Sequence, residues 1–255
     1  MAAELHSPGF ITPDWPAPAN VHALSTLRTG GYSSGPYNSF NLATHTGDDA
    51  VAVLSNRALL RQHFSLPAEP IWLQQVHSNR IISANPDNIG DEADGSWTDH
   101  AGRVCVVMTA DCLPVLICNQ QGSRVAAAHA GWRGLHAGVI TNAIRRLESD
   151  PSELMVWLGP AIGPQTFEVG AEVLRAFTDR NRENTSAFRQ TDDQHWLCDL
   201  YRLARIELSS QGVTSVFGGK ECTYTDEQRF YSYRRDGDTG RMASLIWLGE
   251  QDTGK

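Results

Sequence analysis

No apolar run in this chain approaches 18 residues, so nothing in it reads as a membrane-spanning helix. Its first residues, MAAELHSPGF, hold no basic segment followed by an apolar stretch, so no secretory signal is visible. Positive charge is not in excess. The formal net charge of −8 disfavours nucleic acid and anionic membrane surfaces as partners. Cysteine is scarce: five residues, an odd number with no paired spacing, make no disulfide framework and fit free thiols in a reducing cytoplasm. The G-x-x-x-x-G-K-[ST] order is absent, so there is no P-loop. The H-x-E and P-C-x-x-C signature of nucleobase deaminases is also missing. Nine histidines without one H-x-H pair do not supply the clusters that multicopper oxidation needs. No internal repeat or low-complexity segment is apparent. What is present is ordinary for a globular protein: 41% hydrophobic residues, 20% charged residues and a mean hydropathy of −0.33. A length of 255 residues suffices for a substantial core.

Residues 1–20 contain Pro8, Pro13, Pro16 and Pro18 and predict an irregular lead-in to one domain over 21–250. Val21–Leu27 reads as a strand. A polar, glycine-rich loop follows, from Arg28 through Asn41 to Leu42, and its backbone N–H groups suit an anion such as phosphate. Asp48-Asp49 predict the N-cap of a helix over 50–64. The run Ile71–His77 predicts a strand, with Arg80–Ala84 as its hairpin partner. Residues 85–99 read as a polar loop carrying Asp91, Glu92, Asp94 and Asp99. A helix is expected from Gly134 to about Glu148, a buried strand over 154–158 and a turn-rich break over 159–164. Glu168-Val169-Gly170 leads into a helix to about Phe177. Residues 179–196 read as a surface excursion, 200–208 as a helix, and 215–217, 230–233 and 242–248 as the last strands. Helices lying between strands give an α+β protein with a mixed sheet.

The chain is organised around residues 104–134, VCVVMTADCLPVLICNQQGSRVAAAHAGWRG. Two β-branched runs, Val104–Met108 and Leu113–Cys118, flank the break Thr109-Ala110-Asp111-Cys112. Residues 119–123 read as a hairpin turn and Arg124–His129 as the returning strand. Hairpin pairing then brings Cys112 and His129 together although they are 17 positions apart. A thiol and an imidazole converging at a strand edge are either a metal site or a thiol nucleophile with its base. His77, at the end of another apolar run, adds a second imidazole. Three ligands and one open position is the catalytic zinc pattern.

QQVHSNR, ADGSWTD, TADCLPVLI, HAGWRG, LGPAIGP with FEVG, and FYSYRRDGDTGRMASLIWL occur in this order from about Leu27 to Leu248. Together they closely resemble the YfiH (laccase-domain, "polyphenol oxidase") family of bacterial proteins, also described as peptidoglycan editing factor and as purine nucleoside phosphorylase. The resemblance implies packed mixed β-sheets flanked by helices, a fold shared with the catalytic domains of cytotoxic necrotizing factors. It also implies zinc ligands at His77, Cys112 and His129. The implied reactions are phosphorolysis of adenosine, inosine and S-methyl-5′-thioadenosine, and deamination of adenosine.

Several roles follow as expectations. Asp111 and Asp94 are candidates to orient a histidine or shuttle a proton. The cations available to phosphate are Arg28, Arg133, Arg234, Arg235 and Arg241; Arg28 and Arg133 adjoin the glycine-rich motifs and are favoured, with Asn41 beside them as a substrate contact. Phe40 or Trp132 can stack on a purine. A thiolate–imidazole site also accepts copper in vitro. The competing class is a cysteine hydrolase or amidase built on Cys112 and His129, for example in editing of cell-wall precursors; a metal-buffering protein is a third. A monomer is the expected state.

Overall fold

The structure is a computed structural model that describes residues 7–250. The expected lead-in therefore lies partly, over 1–6, outside the described residues. In chain order the strands and helices are β1 (Phe10–Ile11), β2 (Val21–Thr26), α1 (Ala50–His63), β3 (Ile82–Ser83), β4 (Gly95–Thr98), β5 (Val104–Thr109), β6 (Leu113–Asn119) and β7 (Val125–Ala130). They continue with α2 (Trp132–His136), α3 (Val139–Leu147), β8 (Leu154–Leu158), β9 (Glu168–Gly170), α4 (Ala171–Arg180), β10 (Phe188–Gln190), β11 (His195–Cys198), α5 (Leu200–Ser210), β12 (Ser215–Gly218), α6 (Tyr233–Asp236) and β13 (Met242–Leu248).

A six-stranded sheet runs β12-β8-β6-β7-β4-β3 and a four-stranded sheet runs β1-β2-β13-β5. The first is mixed, because β12 joins β8 and β3 joins β4 in parallel while the rest pair antiparallel. Alternate residues assign the layers. Val115 and Ile117 of β6 pack under Ile140 and Ile144 of α3 and Leu203 of α5. Leu116 and Cys118, pointing the other way, meet Cys105, Val107 and Ile246 of the second sheet. The outer face of that sheet, through Val106, Met108 and Leu245, packs on Leu60 of α1 and on Phe40 and Leu42 of the loop before it. The order is helix, sheet, sheet, helix. Strands covered on both faces must be apolar at every position, which is why β5 and β6 read as unbroken hydrophobic runs. Each such side chain contributes about 1.5–3 kcal/mol by burial.

Several expectations hold. The carboxylate of Asp49 caps α1, accepting from the amides of Val51 and Ala52 at 3.3 and 3.2 Å. The β6–β7 hairpin sets Pro114 opposite His129. Others need correction. Residues 134–148 form two helices, because Gly138 adopts φ +87° between α2 and α3, a left-handed conformation that breaks the helix. Ile71–His77 is no strand. It makes only isolated bridges, Ile71 with Cys105 and Gln74 with Glu92. In place of a ladder, the Gln75 carboxamide donates to the Met108 carbonyl at 2.8 Å and accepts from its amide at 2.7 Å. Of residues 80–84 only Ile82–Ser83 is a strand, and it pairs with β4 rather than with 71–77. The supposed polar loop 85–99 contains β4, which lies inside the larger sheet between β7 and β3. Its Gly95 is required there, since a Cβ would stand 2.4 Å from the Ala127 carbonyl oxygen. Residues 179–196 contribute β10 and β11 to a small sheet ordered β10-β11-β9. Phe230 and Tyr231 are buried without strand pairing, the Tyr231 amide donating to the Met242 sulfur at 3.1 Å.

Candidate metal centre and active site

Three breaks in regular structure meet at one end of the stacked sheets. His77 closes the irregular segment 71–77, Cys112 lies in the break between β5 and β6, and His129 sits near the end of β7. Their ligand atoms lie within 4.8 Å of one another. Sγ of Cys112 is 3.8 Å from Nε2 of His77, and the two imidazoles stand edge to face at 4.8 Å. Donors around a tetrahedral zinc stand roughly 3.3–3.6 Å apart, so shifts on the order of 1 Å close the set. A borderline ion with one sulfur and two nitrogen donors fits this group.

Asp94 builds the site from behind. It is 0% exposed, in contact with His129, which is 4% exposed. Its Oδ1 lies 2.8 Å from Nδ1 of His129 and accepts from the His77 amide at 2.9 Å. Its Oδ2 accepts from the Ser78 hydroxyl at 2.7 Å and from the amides of Ser78 and Val76 at 2.5 and 3.3 Å. Three consecutive amides thus wrap one carboxylate, and the wrap requires His77 at φ +60°. A non-glycine residue held there costs on the order of 1–3 kcal/mol, which these charge-assisted bonds offset. With Nδ1–H of His129 given to Asp94, Nε2 is left as the lone-pair nitrogen for a metal.

Electrostatics follow from the same contacts. Burial pushes the Asp94 carboxyl up, but bonds from His129 and Ser78 prevail and hold it below the usual range. Burial likewise opposes ionisation of Cys112, yet the adjacent His129 charge and bonds from His129 and His77 bring the thiol well below its ordinary value. His129 is raised well above an ordinary imidazole; burial opposes this and the Cys112 and Asp94 charges outweigh it. Both shifts favour a thiolate facing an imidazolium in the metal-free pair. Gly131 leaves room for it: a Cβ would lie 2.7 Å from Sγ of Cys112 and 3.1 Å from Cδ2 of His77.

The three ligands open into a cavity of about 520 Å³. Trp132, Phe167 and Tyr233 supply aromatic wall, and His45, Arg133, Arg234 and Arg241 supply polar and cationic groups. Arg133 stacks over Trp132 at 4.3 Å. Asp111 also lines the cavity, at φ +87°, but its oxygens accept from the Thr223 hydroxyl at 2.6 Å and the Arg234 amide at 2.7 Å. It ties the β5–β6 break to segment 223–234 and leaves orientation of His129 to Asp94. Arg28 lies outside the cavity. Its guanidinium donates to the carbonyls of Asn38 and Glu227, each at 3.1 Å, beside a separate depression. Asn41 is wholly buried among loops, Arg235 is held by carbonyls and Asp236, and Phe40 is core. Sequence reasoning missed His45, Gln75 and Tyr233 as cavity residues; the one available sign was His45 close to the aspartate pair that caps α1.

The class is an α+β protein with a mixed sheet stacked on an antiparallel one and a His-Cys-His group at their edge. A model described as multi-copper polyphenol oxidoreductase laccase matches residues 22–249. The purine nucleoside phosphorylase of Pseudomonas aeruginosa is 51% identical over 240 residues, covering 94% of this chain and 98% of that protein. Purine nucleoside phosphorylase YfiH of Escherichia coli is 49% identical over the same coverage. Among solved structures, a Neisseria meningitidis protein superposes with a TM-score of 0.92 at 49% identity, covering 95% of this chain and 100% of that one. YlmD from Geobacillus stearothermophilus gives 0.90 at 30% identity, covering 95% and 97%. The chain belongs to this YfiH-type laccase-domain family.

Proposed function

We propose that this chain is a metal-dependent purine nucleoside phosphorylase that cleaves adenosine, inosine and S-methyl-5′-thioadenosine, and that it also deaminates adenosine. The observation that carries the reading is the three-ligand group at the wall of a cavity with aromatic and cationic sides. The names of the relatives supply the substrate class. Purine nucleosides and phosphate are then the small-molecule partners of a cytoplasmic monomer, and no described helix is long and apolar enough to cross a membrane.

His77, Cys112 and His129 would hold zinc, which when bound supplies a Lewis acid and a water acidic enough to ionise near neutrality. Asp94 keeps His129 in the tautomer that presents Nε2. The aromatic wall excludes water and offers flat faces to a purine. In phosphorolysis a phosphate oxygen forms the bond to ribose C1′ as the C1′–N9 bond breaks. The base leaves with that electron pair and takes up a proton, giving free base and ribose 1-phosphate. Cationic groups bring the phosphate to the ribose against its own charge. The deciding measurement is a product assay with inosine or adenosine, with and without phosphate. Ribose 1-phosphate and free base, formed only with phosphate, support the proposal; their absence at any phosphate concentration refutes it.

One observation favours a second reading. Cys112, His129 and Asp94 form a thiolate, an imidazolium and an orienting carboxylate, the order of parts in a cysteine hydrolase or amidase. A chelator abolishes activity under the metal reading and spares it under the thiol reading, whereas iodoacetamide inactivates the free thiolate quickly and the metal-bound sulfur slowly. Copper in the same ligands would not by itself make an oxidase, since affinity for copper exceeds that for zinc at most nitrogen–sulfur sites. Among the described residues His77-Cys112-His129 is the one such group.

A further inference from the structure

Arg241 borders the metal cavity and is half-buried. Among the described residues no carboxylate stands within ion-pairing distance of it, although the other arginine pairs are plain. Asp111, whose charge reaches it, is engaged by the Thr223 hydroxyl and the Arg234 amide. One guanidinium nitrogen, Nη1, donates to the carbonyls of Thr239 and Gly240 at 2.7 and 3.0 Å, which fixes the fork; neither Nε nor Nη2 has a protein acceptor among the described contacts. His45 lines the same cavity, and neither of its ring nitrogens has a described partner. Burial and the charge of Arg241 both hold His45 below an ordinary imidazole; burial also lowers Arg241, with the negative groups at Cys112 and Asp111 opposing it. A partly desolvated cation with free donors and no carboxylate in contact with it is costly unless an anion arrives with the ligand.

One buried amide ties the two together. Oδ1 of Asn41 accepts from the Arg241 amide at 2.9 Å and from the Ala43 amide at 3.1 Å. Its Nδ2 donates to the Thr46 hydroxyl and to Asp48, each at 3.0 Å. The loop carrying His45 and the strand end carrying Arg241 are thereby locked in register before any ligand binds. Arg133 and Arg234 line the cavity too, but both are exposed, and Arg133 lies on Trp132.

We infer that Arg241 and His45 form the subsite for inorganic phosphate, with Asn41 as its positioning residue. This rests on the phosphorolysis proposed above, and it moves the anion site from the Arg28 loop to the opposite end of that loop segment. The planar fork takes two phosphate oxygens and His45, at the mouth, a third. The phosphate is then presented beside the metal group, where the ribose must lie.

The test uses the purified metal-loaded protein and inorganic phosphate. Phosphate binding is measured by calorimetry without nucleoside, and the KM values for phosphate and inosine separately by turnover. R241Q and H45Q are expected to raise the Kd and KM for phosphate about tenfold or more, the loss of a charge-assisted bond, while the KM for inosine moves less than about threefold. R241K should recover part of the loss and N41A should weaken phosphate binding with Arg241 intact. H45Q alters an exposed side chain, so it reports even if R241Q is poorly folded. Unchanged phosphate binding in both R241Q and H45Q overturns the assignment. If wild type binds phosphate through these residues but yields no ribose 1-phosphate, the phosphorylase reading fails and the anion subsite stands.

Discussion

Replacing Asp94 with asparagine removes one charge and almost no volume, and it tests how the centre is held. The carboxylate accepts from the amides of Val76, His77 and Ser78, from the Ser78 hydroxyl and from the His129 ring. A carboxamide can accept on one side only. With its NH2 toward Oδ1's place, it opposes the His77 amide and donates to Nδ1 of His129. The ring proton then moves to Nε2, the atom that must bind metal. With NH2 toward Oδ2's place, it opposes the Val76 and Ser78 amides and opens the turn that carries His77. Either way one ligand is lost or misplaced. Losing two charge-assisted bonds at about 1.5–3 kcal/mol each costs about 3–6 kcal/mol, and a broken buried pair usually costs about 3–5 kcal/mol. For a chain of this size that is about 6–20 °C in thermal midpoint. Zinc affinity should fall about 10–100-fold. The affinity is read by competition against a chromogenic chelator well below both midpoints, and the midpoints are taken with EDTA so that fold and metal are separated. The acid limb adds a sign. Asp94 is held below its unperturbed value of 3.8, so its stabilisation is fully present above that value and lost as pH falls through the lower folded one. D94N should therefore lose the difference from wild type only in that acid range. A variant whose zinc affinity stays within about twofold of wild type would refute the claim that this carboxylate sets the tautomer.

Alanine at His77, Cys112 or His129 should abolish nucleoside turnover while circular dichroism stays near wild type; full activity of Cys112→Ala would falsify the metal mechanism. Gly131→Ala places a methyl 2.7 Å from Sγ of Cys112, so zinc affinity should drop at least about tenfold in a protein that still folds, and retention of affinity would show the ligands to be mobile. In the metal-free protein an aromatic disulfide reagent should titrate two thiols quickly, Cys112 and Cys222, and all five after denaturation. Burial pushes Cys105 and Cys118 up to about 12 and raises Cys198, so a third fast thiol would contradict the packing.

The parts of the fold legible in the sequence were those whose pattern came from local burial. The β6–β7 hairpin announced itself by two β-branched or small apolar arms around a polar turn, and α1 by an aspartate N-cap before a periodic stretch. β4 did not, because a central strand made of Gly-Ser-Trp-Thr is shaped by how closely its neighbours approach: only a glycine clears the Ala127 carbonyl at position 95. The segment 71–77 misled in the opposite sense. Ile71, Trp72 and Leu73 are buried as a strand's would be, but the Gln75 side chain and the Asp94 carboxylate bind the backbone partners that a ladder would have taken.

The convergence of the three candidate ligands was readable because each stands at one end of an apolar run, and a histidine or cysteine at the end of such a run points to a sheet edge. What holds them was not. Asp94 sits in an acidic, loop-like stretch where a solvated surface is the ordinary outcome, and nothing local says that this carboxylate is buried behind His129 at a separation of 35 positions. Asn41 and Arg241 are 200 positions apart and meet where the loop after β2 passes the start of β13, its neighbour in the sheet. The proposed function therefore rests on two buried side chains that touch no substrate: a carboxylate that would aim the metal ligands and a carboxamide that would aim the cation. If both act so, zinc affinity must respond to Asp94 and not to Asn41, and phosphate affinity to Asn41 and not first to Asp94. A double variant should then show the two losses combining additively, since the residues share no partner.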